Sequence, residues 1–242
     1  MAGTQRLDKL LGNFGFGTRK EVRLIIKDKG ITVDGVMAVD PGMHVNPETQ
    51  DIYINGEKLN YKEFIYIMMN KPGGVVSATE DSKEKTVIDI LPDEYAVFNP
   101  APVGRLDKDT VGLLLLTNNG QIAHKLLSPK KHVPKVYFAK IQGTVTVKDI
   151  EQFKKGVVLD DGYKTLPSNL RIIEQGEVST IEIEIYEGKY HQVKRMFEAV
   201  GKNVESLMRV SMGPLKLDDS LKLGESRELT QVELSSIFEY IK

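Results

Sequence analysis

Residues 104–120 read GRLDKDTVGLLLLTNNG, a charged loop that runs without a break into an apolar segment. A short apolar run bounded by turn residues predicts a strand buried in the core, and the Asn-Asn-Gly turn at 118–120 leads from it into a helix. Asp107 lies just before the start of this strand, where packed neighbours can hold a catalytic carboxylate rigidly. A charged turn that simply caps a core strand is the alternative.

Asp109 is a second carboxylate two residues further along. On a strand this spacing places both side chains on one face, and paired carboxylates are typical of glycosidases. The apolar continuation from Thr110 to Leu116 favours Asp107 as the buried carboxylate and Asp109 as a solvated neighbour. Hydrolysis of a glycosidic bond is therefore the less favoured chemistry for this pair.

The chain from residue 64 onward is rich in strands. Its patterns predict strands at 64–70, 112–116, 135–143, 169–174, 178–187 and 207–217, and helices at about 119–127, 147–155, 190–200 and 231–241. This order has no strict β-α-β repeat. It predicts an α+β domain whose mixed, mainly antiparallel sheet is flanked by helices.

The first 58 residues follow a different pattern. The spacing of Leu7, Leu10 and Leu11 predicts one helix, and a capping box from Thr18 to Glu21 opens a second, followed by short strands of a curled sheet. We therefore expect a small domain at 1–58, a linker at 59–63 and a larger domain at 64–242. The second helix presents basic residues that could meet phosphates, namely Arg19, Lys20, Arg23 and Lys27.

The composition excludes several kinds of site. The 242 residues contain no cysteine, which excludes disulfides, a thiolate nucleophile and a zinc-thiolate site. The four histidines lack metal-ligand spacing and no nucleotide-binding glycine motif occurs, so we expect no metal and no cofactor. No stretch approaches the roughly 18–20 apolar residues of a membrane span, so we expect a soluble cytoplasmic protein. The net charge is −1, but separated basic stretches favour binding of a polyanion.

Several stretches resemble known families. Residues 5–58, which contain RLDKLLGNFGFGTRKEVRLIIK from Arg6 onward, resemble the S4 RNA-binding domain. GRLDKDTVGLLLLTNNG resembles the signature of the pseudouridine synthases that modify ribosomal RNA. PKVYFAK at 134–140, GKYHQVKRMF at 188–197 and NKPG at 70–73 fit other motifs of these enzymes. Over essentially its whole length the chain is similar to ribosomal RNA pseudouridine synthases of the RsuA family. The small-subunit type fits best, with a large-subunit target as the alternative.

The resemblance implies a reaction in which uracil leaves C1′ of its ribose, turns and rejoins through C5, so that no cofactor is needed. Asp107 would attack C1′ or remove a ribose proton, Lys194 would be its cation, and Tyr137 would stack on uracil and help to remove the C5 proton. Arg105 would fill the gap left by the flipped base. Further RNA contacts are expected from Arg6, Arg19, Lys20, Arg23, Lys27, Lys130, Lys131, His191, Gln192 and Arg195.

The implied partner is ribosomal RNA or a ribosomal subunit assembly intermediate, bound by a monomer. Without the resemblance, Tyr137 fits a core strand, and Lys194 and Arg195 fit the solvated face of a helix. A non-catalytic assembly factor that binds ribosomal RNA is the alternative from another class, since an S4 domain alone would serve it. Such a factor would not need the loop that carries Arg105 and Asp107.

Overall fold

The computed structural model describes residues 3–28 and 30–242; Met1, Ala2 and Lys29 lie outside the described residues. The chain divides into two compact units. The N-terminal unit holds the chain up to Ile65 together with Asp93–Asn99, and the C-terminal unit holds Tyr66–Pro92 and Pro100–Lys242. The sequence predicts domains at 1–58 and 64–242, and it does not predict that Asp93–Asn99 belongs to the N-terminal unit.

The N-terminal unit is built from short elements. In chain order they are β1 (Gln5–Arg6), α1 (Leu7–Asn13), α2 (Arg19–Lys27), β2 (Ile31–Val33), β3 (Val36–Met37), β4 (His44–Val45), β5 (Ile52–Ile54), β6 (Glu57–Lys58) and α3 (Asp93–Ala96). An antiparallel sheet has the strand order β3-β2-β5-β6, and β1 pairs with β4. The two helices and small sheet expected from the sequence are confirmed.

The core of this unit follows from the spacing of its apolar residues. Leu7, Leu10 and Leu11 are each at most 1% exposed, as the helical spacing predicts. The capping box of α2 is also confirmed. The backbone N–H of Thr18 donates to Glu21 Oε2 at 2.6 Å, and the N–H of Glu21 donates to Thr18 Oγ1 at 3.4 Å. These bonds satisfy two N–H groups that a helix start leaves unpaired.

The segment Asp93–Asn99 completes this core. The ring of Phe98 meets the ring of Phe14 edge-on, with centroids 5.1 Å apart. Val97 packs closely on the turn after α1, where a Cβ added at Gly15 would lie 3.1 Å from Val97 Cγ1. Residues distant in sequence therefore cover one side of the first helix.

The C-terminal unit contains the remaining elements. They are β7 (Tyr66–Lys71), β8 (Ala101–Pro102), β9 (Val111–Thr117), α4 (Gly120–Leu127), β10 (Lys135–Gln142), α5 (Val147–Lys155), β11 (Asn169–Glu174), β12 (Val178–Ile185), α6 (Gln192–Glu198), β13 (Asn203–Met212), β14 (Leu215–Lys216), β15 (Ser226–Glu228) and α7 (Gln231–Tyr240). None of the helices within the described ranges has the length and apolarity to cross a membrane.

A nine-stranded sheet organises this unit. Its order is β11-β12-β10-β13-β9-β7-β15, with β14 paired to β13 and β8 paired to β9. In the described chain β9 and β13 pair in parallel, and the other neighbouring strands pair antiparallel. The predicted mixed, mainly antiparallel sheet is confirmed. The apolar run at 113–116 lies in central β9 and is 0% exposed, as predicted for a buried strand.

Among the predicted elements whose limits differ in the structure, two have a clear local cause. The strand expected at 207–217 is two strands in the structure: β13 begins earlier, at Asn203, and ends at Met212, where the chain turns back into β14. Gly213 has a φ of 55°, and Pro214 carries no N–H for a strand ladder, so the strand cannot continue. The helix expected at 190–200 begins at Gln192, because the backbone of His191 is left-handed with a φ of 49°.

Gly112 lies where β9 and β13 run in parallel. Its φ is 101°, and a Cβ there would collide with the backbone oxygen of Arg209. A side chain at this position would push the two strands apart. The glycine in the quoted signature is therefore required by the approach of two backbones.

Candidate active site

A pocket of about 410 Å³ opens beside the loop that precedes β9. Its wall includes five of the residues expected at the site: Arg105, Asp107, Tyr137, His191 and Gln192. Ligand pockets typically measure roughly 300–1,000 Å³, so this one has room for a single nucleoside. Among residues 3–28 and 30–242, no three histidine or acidic side chains come together as metal ligands.

Two buried side chains fix the backbone around Asp107. Lys71, at the end of β7, is 0% exposed. Its Nζ donates at 3.0–3.3 Å to the backbone oxygens of Pro72, Asp107, Lys108 and Thr110. Burial lowers the pKa of Lys71 to about 8, and the charges of Asp109 and Asp107 oppose this shift. Ser77 Oγ accepts from the N–H of Leu106 at 3.1 Å and donates to its carbonyl oxygen at 3.0 Å. The loop is therefore held on both sides of the carboxylate.

The carboxylate of Asp107 faces a basic side chain at each oxygen. His191 Nε2 lies 3.5 Å from Oδ1, and Lys194 Nζ lies 3.6 Å from Oδ2. The side chain of Asp107 is 27% exposed, against 72% for Asp109. Asp107 is thus the more buried of the two carboxylates, as the sequence predicts. Lys194 attracts it electrostatically, as does His191 when protonated, and this attraction holds it in place.

Lys194 has a second and nearer partner. Its Nζ donates to Asp109 Oδ1 at 2.6 Å and to Oδ2 at 2.8 Å. This hydrogen bond lowers the pKa of Asp109. Asp109 is solvated, as expected, but the sequence did not predict its bond to Lys194. Although mostly exposed, Asp109 is hydrogen-bonded to the cation that also faces Asp107, so the three side chains form one charged cluster.

Tyr137 forms one wall of the pocket. It lies on β10, is 7% exposed, and has Lys135 on the same strand face. Arg209 lies opposite Tyr137 on β13, and its Nε donates to the carbonyl oxygen of Leu113 at 2.8 Å. Burial lowers the pKa of Lys135 to about 8, with Arg209 adding to the shift and Glu187 opposing it. Sheet pairing, which the sequence does not reveal, brings Lys135 and Arg209 to the pocket.

Several basic side chains expected to contact RNA are exposed. In the N-terminal unit these are the four on α2, namely Arg19, Lys20, Arg23 and Lys27. In the C-terminal unit Arg105 is exposed on the pocket wall. Lys130 and Lys131 are exposed on a single 3-10 turn, Pro129–Lys131. Pro129 of this turn and His132, which follows it, line the pocket.

Gln192 lines the pocket and also has a structural role. It is 4% exposed. Its Oε1 accepts from the N–H of Lys189 at 2.9 Å, and its Nε2 donates to Glu187 Oε1 at 3.0 Å. Both ends of the amide are used inside the protein. The amide therefore fixes the segment that leads into α6, and the expected RNA contact of Gln192 stays a prediction.

Two expected arginine contacts are engaged by carboxylates. Arg195 is 15% exposed and forms ion pairs with Asp160 and Asp161. In the other unit, Arg6 donates to both oxygens of buried Asp8, at 3.0 and 2.8 Å. These pairs neutralise the arginine charges, which weakens the case for phosphate contacts at either position.

A small unit with an exposed basic helix and a nucleoside-sized pocket around a carboxylate are features of an enzyme that acts on RNA. Residues 65–199 match the family model described as RNA pseudouridylate synthase, and residues 5–51 match that of the S4 domain. The chain therefore belongs to the RNA pseudouridine synthases and carries an N-terminal S4 domain.

The similarity extends along nearly the whole chain. An uncharacterized RNA pseudouridine synthase of Bacillus subtilis (strain 168) is 53% identical over 95% of this chain and 96% of its own length. Ribosomal small subunit pseudouridine synthase A of Vibrio cholerae is 39% identical over 96% and 99%. Ribosomal large subunit pseudouridine synthase B of Bacillus subtilis is 36% identical over 96% and 95%. A crystal structure of a pseudouridylate synthase superposes with a TM-score of 0.68 at 33% identity, covering 96% of this chain and 99% of that chain.

Proposed function

We propose that this chain converts one specific uridine of small-subunit ribosomal RNA to pseudouridine, with Asp107 as the catalytic carboxylate. The position of Asp107 carries the proposal. Buried Lys71 holds its backbone, and its carboxylate lies between His191 and Lys194 on the wall of a nucleoside-sized pocket. A uridine has to leave its stack to enter such a pocket, which fits base flipping. The enzyme would act in the cytoplasm, as a monomer, on ribosomal RNA or an assembly intermediate.

The reaction exchanges one glycosidic bond for another. The N1–C1′ bond breaks, the C5–C1′ bond forms, C5 loses a proton and N1 gains one, so the atoms balance without a co-reactant. Asp107 either attacks C1′ to give an ester with the ribose or removes a ribose proton to give a glycal. In both cases the carboxylate acts on the sugar while uracil turns within the pocket.

The other wall residues fit the movement of charge and of the base. Tyr137 would stack on uracil and help to remove the C5 proton. Arg105, exposed beside Asp107, would enter the RNA helix in place of the flipped base. A uracil that leaves with its bonding electrons is negative, and Lys135 and Arg209 put positive charge on the wall that it faces.

The small-subunit target rests on the GKYHQVKRMF segment and on a small difference in identity between relatives named for the two subunits, 39% against 36%. Mapping pseudouridines in ribosomal RNA from cells with and without the gene tests it. We expect the loss of one pseudouridine from small-subunit RNA. A loss from large-subunit RNA instead would move the target to that subunit, and unchanged ribosomal RNA would refute the proposed substrate.

Asp107→Asn tests the catalytic assignment. It should abolish isomerisation and leave RNA affinity within a few-fold, because the carboxylate acts on ribose and does not anchor phosphates. Release of tritium from C5 of labelled uridine, measured at single turnover, follows the reaction. Asp219→Asn, at an exposed aspartate outside the pocket, is the matched control and should keep full activity.

If Asp107→Asn keeps more than about a hundredth of wild-type turnover, which is the scale of losing a general acid or base, Asp107 is not the catalytic group. A non-catalytic assembly factor makes a different prediction. It would leave uridine unmodified even with wild-type protein, and Asp107→Asn would complement a deletion strain.

A further inference from the structure

Tyr190 and His191 form an exposed aromatic pair next to the pocket. Their rings stack with centroids 3.8 Å apart and an interplanar angle of 17°. The Tyr190 residue is 73% exposed, more than any other aromatic residue among the exposed hydrophobics of the described chain. One face of the tyrosine ring is therefore supported by His191 and the ring as a whole remains open to solvent. Neither the sequence motifs nor the proposed chemistry gives Tyr190 a role.

The backbone under this pair is fixed. The N–H of Gln192 donates to the carbonyl oxygen of Lys189 at 3.2 Å, which closes a turn around Tyr190 and His191. The Gln192 side chain adds its bonds to Lys189 and Glu187. His191 is held in the left-handed region, with φ 49° and ψ 33°, which non-glycine residues adopt infrequently. An exposed ring on a fixed, unusual turn loses little conformational entropy when a flat ligand stacks on it.

The pair is also next to the reacting group. His191 Nε2 lies 3.5 Å from Asp107 Oδ1, and both His191 and Lys189 line the pocket. When a ribose presents C1′ to Asp107, the nucleotides on either side of it are therefore within reach of Tyr190 and His191. Lys189 is exposed and lines the pocket, so it places positive charge close to this pair, where a phosphate backbone would run.

We propose that Tyr190, backed by His191, is a stacking platform for the unpaired nucleobase adjacent to the target uridine. This rests on the proposed function, because it places the target uridine at Asp107. Bases freed from a helix are commonly bound by stacking on exposed aromatic side chains. The platform recognises a π face and no hydrogen-bonding edge, so it favours a base with strong stacking, such as a purine, at that position.

The test combines two protein variants with two RNA substrates. Tyr190→Ala should lower kcat/KM on the natural RNA about 5- to 150-fold, the range equivalent to 1–3 kcal/mol of base stacking. Turnover at saturating RNA should stay within a few-fold, and Tyr190→Phe should retain wild-type values. When the flanking base is replaced by an abasic sugar, wild type and Tyr190→Ala should become equal.

Phe138→Ala is the matched control. Phe138 is a partly exposed ring, 37% exposed, on the face of β10 opposite to Tyr137. Its loss should affect natural and abasic RNA equally. An equal loss on both RNAs for Tyr190→Ala would overturn the platform and leave a structural role, and no loss on natural RNA would overturn it as well.

A binding experiment separates this proposal from the proposed function. With 2-aminopurine as the flanking base, stacking on the wild-type protein should quench its fluorescence, and Tyr190→Ala should not. If wild-type protein binds and quenches but forms no pseudouridine, the proposed function fails and the platform stands. If wild-type protein forms pseudouridine but does not quench at either flanking position, the platform fails alone.

Discussion

Lys194→Met should lower turnover by at least ~100-fold, or about 2.7 kcal/mol on the barrier. The substitution keeps most of the side-chain length and packing but removes the charge. In the structure Lys194 Nζ lies 3.6 Å from Asp107 Oδ2. At that distance two unit charges attract by about 5 kcal/mol at an effective dielectric constant of 20, and by about 1 kcal/mol in bulk water. The side chains of Lys194 and Asp107 are 19% and 27% exposed, so their surroundings are less polar than bulk water but not dry. The expected loss of about 2.7 kcal/mol therefore lies between these two energies.

The shared hydrogen bond to Asp109 makes a further variant informative. Asp109 acts on the reaction through Lys194, so Asp109→Asn should lower turnover by less than Lys194→Met does. The double variant should be no slower than Lys194→Met alone, because the cation through which Asp109 acts is already gone. Lys194→Arg should keep much of the activity, since the cation remains.

Single-turnover measurements at saturating RNA provide the decisive assay. They separate the chemical step from binding, which a surface lysine would also affect. A normal rate for Lys194→Met at neutral pH would refute the pairing with Asp107 and leave Lys194 as a helix residue paired with Asp109 alone. Fully additive losses in the double variant would show that Asp109 acts on the reaction independently of Lys194.

Two other predictions follow from the same structure. Lys71→Met should slow turnover at saturating RNA more than about tenfold, because four backbone carbonyl oxygens lose their donor and the loop of Asp107 loosens. Since burial lowers the pKa of Lys71 to about 8, wild-type turnover should fall as pH rises through that value and the variant's should not; parallel pH profiles would contradict this. In the S4 domain, Gln substitutions on α2 should reduce the log–log salt slope of RNA binding by up to about 3, because four charges are lost; the substituted residues are Arg19, Lys20, Arg23 and Lys27. An unchanged slope in salt titrations would show that this face of α2 does not touch RNA.

Features set by local sequence were predicted well. The strand at 169–174 and the capping box at Thr18 depend on residues a few positions apart, and the structure has both. The buried strand at 111–117 was visible because its apolar run has no polar interruption. The mixed sheet followed from the order of the elements. Only the break at Gly213 divided a predicted strand in two.

Features that depend on distant partners could not be predicted. Gln192 looks like an RNA contact in its motif, but Glu187 and Lys189 use its amide. Arg195 meets a pair of aspartates more than thirty residues earlier in the chain. Three of the four carbonyls bound by Lys71 come from a loop 36 to 39 residues further on. Periodicity and motifs carry no information on such pairs, which chain folding alone brings together.

The return of Asp93–Asn99 to the N-terminal unit affects how the protein is made. During synthesis at about 5–20 residues per second, the stretch from Ile65 to Asn99 takes roughly 2 to 7 s to appear. Until then Phe14 has no edge contact with Phe98, and Val97 does not yet cover the turn after the first helix. The N-terminal unit therefore cannot close when residue 65 has been made, but it has all its residues well before the C-terminal unit, which includes residues up to Lys242. A fragment that ends at Ile65 would lack the last piece of its own core.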